Sequence, residues 1–147
     1  MKPGLIEVIA FLAKEMPAHA AQVESPFLRK QLGATGMALT IISQEIDRAV
    51  PRRLEENAAI RAIFRTALSV VTDPALERSL AEEALRQEDD LRLSSLEAEN
   101  DRLRELLIQL HACVETISNP AAYALNETIW QELRLQTERR RTSFLKI

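Results

Sequence analysis

His111 and Glu115 stand four residues apart, the spacing that places an imidazole and a carboxylate on one helical face. Such a pair could share a proton or begin a metal site. A metal centre in a helical bundle needs Glu-x-x-His motifs on two helices plus further glutamates, and neither histidine carries that motif. His19 lies in the proline-broken "EMPAHA", with Glu15 four residues back. Cys113, two residues from His111, diverges from it on a helix and lacks a third group to orient a base. The sequence has no glycine-rich phosphate loop, zinc-ligand array or Ser-His-Asp signature. A chain without catalytic residues, metal or cofactor is the expectation.

Arg139, Arg140 and Arg141 form a basic cluster in "RLQTERRRTSFLK" that could contact an anion. Cations near a helix C-terminus complement the macrodipole anyway, so nucleic acid is not the expected partner. A basic leucine zipper is excluded, because "EEALRQEDD" stands where its basic region should enter the zipper. The formal net charge of −3 gives no global attraction to nucleic acid or an anionic membrane.

These residues must be carried by helices. The 147-residue chain is 46% hydrophobic and 28% charged, too apolar for disorder. Aromatics are 4% and glycines number three, while Leu, Ala, Glu and Arg dominate, an alphabet of helix formers. The single Cys113 permits no intramolecular disulfide and suits a reducing compartment. Lys2, "LIEVIAFLA" and "AHA" imitate a secretory leader, but Glu7 interrupts the apolar stretch and Lys14 and Glu15 close it. No run approaches the ~18 apolar residues of a membrane span. A cytoplasmic protein with no membrane contact is expected.

Ser25-Pro26, Asp73-Pro74 and Asn119-Pro120 each pair an N-cap residue with a proline at the first helical position. Val50-Pro51 is a weaker break. The resulting helices cover about residues 4–16, 26–49, 51–71, 74–119 and 120–143. The first aligns Leu5, Val8, Ile9, Leu12 and Met16; the second aligns Leu28, Leu32, Thr35, Leu39, Ile42, Ile46 and Ala49. The third offers Leu54, Ala58, Ile60, Ile63, Phe64, Ala67 and Val71. Gly33 and Gly36 cost helix propensity, which a close helix crossing or a kink would explain. The fourth steps through Leu76, Leu80 and Ala84, then meets the wholly polar "RQEDD" at 86–90, a solvated bridge or a bend. If continuous, it is roughly 67 Å long and demands a supercoil or bundle partner. The fifth carries Ala122, Leu125, Ile129, Trp130 and Leu133 on one side and returns antiparallel.

Within the fourth helix, residues 93–117 read as a short leucine zipper. Leu96, Leu103, Leu110 and Ile117 recur every seven residues, with Leu93, Asn100, Leu107 and Val114 as the alternate seam positions. One buried Asn in such a seam fixes register and two-strandedness in a parallel dimer. Flanking charges agree, because Arg92 would face Glu97 of a second copy and Glu99 would face Arg104. The rival is a helix of a monomeric bundle with Asn100 turned to solvent. Leu106 and Cys113 widen the stripe, as a helix with more than one neighbour requires.

"LIEVIAFLAKEMPA", "FLRKQLGATGMALTIISQEID" and "RRLEENAAIRAIF" resemble an uncharacterised family of small bacterial helical proteins, over residues 4–64. The resemblance implies a gene beside acyl-CoA dehydrogenases and aminoglycoside-phosphotransferase-like kinases, and it carries over no catalytic residue. The expected architecture is all-α. Residues 1–72 form a three-helix unit, and residues 73–147 form a long helix with a returning helix, dimerised as a parallel homodimer. The expected function is a non-catalytic interaction or accessory protein, and the resemblance implies support of acyl-CoA chemistry performed by a partner. One alternative is a ligand-binding or enzymatic bundle with a pocket at Phe11, Gly33, Gly36, Met37 and Phe64. Another is a nucleic-acid-associated regulator acting through the C-terminal arginines.

Overall fold

A computed structural model describes residues 3–140. Among the described residues are five helices and no strand, the expected all-α class: α1 (Leu5–Ala21), α2 (Pro26–Ala67), α3 (Pro74–Leu85), α4 (Leu93–Glu115) and α5 (Pro120–Arg139). All three cap-proline signals start helices. The Asp73 carboxylate accepts from the Ala75 and Leu76 amides at 2.8 and 3.3 Å, and Asn119 Oδ1 accepts from the Ala122 amide at 2.8 Å. These bonds satisfy amides that a helix start leaves without partners.

Three boundaries differ from the sequence reading, the first being that α1 continues through Pro17 to Ala21, past the expected end near residue 16. Helix α2 runs through Pro51, where a break was expected. An interior proline forfeits one backbone hydrogen bond and costs about 3 kcal/mol. The following residues offset this cost by burying Ile60, Ile63, Phe64 and Ala67. Conversely, the expected long helix is interrupted between Leu85 and Leu93. That segment offers no apolar face to bury, and Arg86 and Arg92 adopt extended backbone. Asp90 then accepts from the Arg92 amide at 3.0 Å and the Ser95 hydroxyl at 2.6 Å, so α4 starts afresh.

The chain divides into two compact units at Ala49/Val50, not at 72/73. The second unit contains α2 from Val50 onward, α3, α4 and α5. Its core joins Ile60, Phe64 and Val71 to Leu80, Leu103, Leu110, Leu125 and Ile129. Residues 51–71 therefore supply one wall of this bundle. Ala122, Leu125 and Ile129 dock α5 as expected, but Trp130 remains 45% exposed.

The first unit is a hairpin of α1 and the opening part of α2. A Cβ at Gly36 would lie 2.8 Å from Met16 Cβ and 3.4 Å from the Ala13 carbonyl oxygen. Glycine thus permits the close crossing that the sequence suggested. Gly33 has nothing comparable within 4 Å. Among the described residues of this unit only small ones are buried: Ala13, Ala20, Gly36, Ser43 and Ala49.

Candidate functional site

The zipper-like stripe of α4 is filled from within the chain. Leu96, Asn100, Leu103, Leu107, Leu110 and Val114 are buried, Ile117 is half-buried and Leu93 is at the exposed edge. Asn100 does not point to solvent; it is buried within its own chain. Its Nδ2 donates to Asn57 Oδ1 of α2 at 2.9 Å, while Asn57 Nδ2 reaches the Leu96 carbonyl at 3.5 Å. Three of the four expected interchain charges likewise have partners in their own chain. Arg92 pairs with Asp90, Glu99 with Arg61 and Arg102, and Glu97 lies 3.5 Å from Arg53. Arg104 lines a small cavity with His111 and Ile108. These side chains serve an intrachain bundle because α2, continuing through Pro51, brings residues 57–64 against them.

Around Asn57 the bundle core turns polar. Glu56, Asn57, Arg61, Glu132 and Gln136 are buried with Asn100. Arg61 is shared between Glu88 and Glu99, and Glu83 pairs with Arg102. Glu56 accepts from Arg53 at 2.6 Å and Arg140 at 3.1 Å. Burial alone would raise the Glu56 carboxyl; the Arg140 and Arg53 guanidiniums outweigh it and hold the carboxyl below its ordinary range. Glu83 and Glu88 behave alike: burial opposes, and Arg102 or Arg61 prevails. The sequence reading follows only the apolar stripes of these helices and so does not include this layer. The available signal was periodicity: Glu56 precedes Ile60, Ile63 and Ala67 on one stripe, and Glu132 and Gln136 continue that of Leu125 and Ile129.

The residues first considered for chemistry are held structurally. His111 Nε2 contacts Asn126 Oδ1 at 2.8 Å, its ring meets Trp130 edge-on at 5.3 Å, and Glu115 lies 3.7 Å away. Cys113 is half-buried against the core, and His19 is exposed in the last turn of α1. Among the described residues no group of three or more His, Cys, Asp or Glu could hold a metal ion. No helix there is long and apolar enough to cross a membrane. Arg139 binds Glu132 at 2.6 Å and approaches Glu55 at 3.6 Å, while Arg140 is bound to Glu56. Arg141 lies outside the described residues. The anion contact expected of this cluster is therefore met, at Arg139 and Arg140, by carboxylates of the same chain.

The residues of the alternative pocket fall in different compact units, Phe11, Gly33, Gly36 and Met37 in the first and Phe64 in the second. Phe11 and Met37 are 62% and 60% exposed, Gly36 is filled against Met16, and Phe64 is buried in the core of the second unit. What the hairpin offers instead is surface. Leu5, Val8, Phe11 and Leu12 of α1, and Phe27, Leu28, Met37, Ile41, Ile42 and Ile46 of α2, are all exposed. Many of them form the stripes expected to be buried. Separately, an open groove of about 280 Å³ runs between Ala59, Ala62 and Thr66 of α2 and Thr128 and Leu135 of α5. No protein-family model, curated protein or solved structure matches the chain.

Proposed function

We propose that this chain is a non-catalytic helical accessory protein whose N-terminal hairpin is its binding arm. The supporting observation is the contrast between the units. The second buries its large aliphatic residues in its own core, whereas the first leaves Leu5, Phe11, Phe27, Leu28 and Met37 exposed. A soluble monomer rarely keeps so extended an apolar surface without a partner for it. On α2, Phe27, Met37 and Ile41 lie on the side away from the α1 crossing at Gly36, as 100° per residue dictates. That back face suits another protein. The resemblance over residues 4–64 makes an acyl-CoA dehydrogenase the first partner to test.

The experiment compares tagged full-length chain with Phe27→Ser/Met37→Ser, applied to lysate of the native host. Wild type should retain one protein stoichiometrically, the double variant should lose it, and the purified partner should bind directly. Equal retention by both chains would remove the basis of this reading.

A further inference from the structure

We propose that one face of the hairpin, formed by Leu5, Val8 and Leu12 of α1 and Leu28, Ile42 and Ile46 of α2, is closed by the same face of a second copy. The product is an intermolecular four-helix bundle. The inference rests on the reading of the hairpin as an association element and commits one of its faces.

The crossing of Ala13 and Met16 with Gly36 fixes which side of each helix faces the other. At 100° per residue, Leu5, Val8 and Leu12 occupy an arc of about 60°, roughly a quarter-turn from that crossing. Leu28, Ile42 and Ile46 occupy an arc of about 40°, turned from Gly36 by a similar amount in the same sense. The helices are antiparallel across the short 22–25 connection. Equal turns of the same sense then place both stripes on one side of the hairpin. Each of these six residues is 39–68% exposed.

The pattern on α2 is that of a bundle seam. Leu28, Thr35 and Ile42 recur every seven residues, interleaved with Leu32, Leu39 and Ile46. Leu32 and Leu39 are already half-buried, and Leu28, Ile42 and Ile46 are left uncovered. A sustained 3.5-residue spacing wants further helices at a shallow crossing angle, as in a four-helix bundle. One α1 supplies half of that.

Three features select a second copy as the occupant. The face offers roughly 600 Å² per copy, hence about 1,200 Å² in total, the lower limit for a stable specific interface. Neither arc contains Asp, Glu, Lys or Arg, so a two-fold axis brings no like charges together. Finally, among its described residues the unit buries only small side chains of its own. A core supplied wholly from outside needs a partner present whenever the chain is, and another copy always meets that condition. The bundle places α1 of one protomer on α2 of its partner.

Sedimentation of the full chain over a micromolar concentration series tests this. Wild type should be dimeric at tens of micromolar. Leu12→Glu/Ile42→Glu should be monomeric, with self-affinity lowered at least a hundredfold, while Phe27→Ser/Met37→Ser should remain dimeric. Both glutamates replace exposed residues, and far-UV circular dichroism with the unfolding transition of the second unit reports whether the variant folds. In wild type, amide protection over residues 5–46 should also rise with protein concentration. A monomeric wild type, a dimer that survives the glutamates, or protection independent of concentration would overturn the inference. Partner capture is read separately through the back-face variant, so either proposal can fail alone.

Discussion

Asn100 Nδ2 donates to Asn57 Oδ1, 43 residues earlier in the chain, in a side-chain hydrogen bond of 2.9 Å inside the second unit. Both are essentially inaccessible to solvent. The bond ties α2 to α4 where the core changes from aliphatic to charged. It also sets the cost of altering either residue. A buried amide that loses its only good partner keeps its desolvation penalty.

Asn100→Leu should therefore destabilise the chain by about 1–3 kcal/mol, because the buried Asn57 Oδ1 is left without its donor, although Asn57 Nδ2 keeps the Leu96 carbonyl. Urea unfolding measures it. The double variant Asn57→Leu/Asn100→Leu should recover most of the loss, since both polar groups are then gone. A more stable single variant would be the signature of the dimeric zipper and would contradict the pairing.

Acid should weaken the second unit only below the ordinary carboxylate range. The Glu56, Glu83 and Glu88 carboxyls are all held below the ordinary value of 4.5 by guanidiniums. A carboxyl lowered in the folded state contributes stability above its unfolded pKa, and that contribution is lost as pH falls through the folded value. Melting temperature should be nearly flat from neutral pH down to the ordinary carboxylate range and drop below it. Glu56→Gln should be less stable at neutral pH and show a shallower acid drop. An unchanged acid slope would show that the Arg53–Glu56–Arg140 cluster contributes little.

The two helical glycines of the hairpin should respond oppositely to alanine. At Gly36 the new Cβ meets Met16 Cβ, which cannot swing away like the far end of a side chain, so α1 must shift. Overpacking of this kind costs about 1–3 kcal/mol. Gly33 faces open space, and alanine there should gain up to about 1 kcal/mol of helix propensity. Thermal melts followed at 222 nm distinguish the two. Equal effects would mean the helices do not cross at Gly36.

On α5, neighbouring residues should differ sharply. Ile129 is fully buried, and Ile129→Ala should cost about 2–5 kcal/mol. Trp130, 45% exposed, should cost much less when replaced by Ala, and its native emission should be only partly shifted from that of water-exposed indole. Strongly blue-shifted emission would indicate a helix rotated relative to the one described.

The sequence by itself determined the helical class and most helix starts, because caps, prolines and apolar periods act through neighbours a few residues away. It also marked Ile60, Phe64, Leu103, Leu110, Leu125 and Ile129 as apolar-face residues, and these are buried. Only the tertiary structure decided what each stripe meets. An α4 seam of leucines with one asparagine fits a symmetric copy as well as another helix of the same chain. The choice turns on Asn57, which nothing near Asn100 in the sequence identifies. Likewise, Pro51 stays inside α2 because the burial of Ile60, Ile63 and Phe64 after it outweighs the local preference, whereas residues 86–92 leave the helix because they offer no apolar face to bury. In the hairpin the opposite holds. The local pattern makes α1 and the start of α2 amphipathic, yet one chain gives Leu5, Leu28 and Ile42 too little surface to bury against.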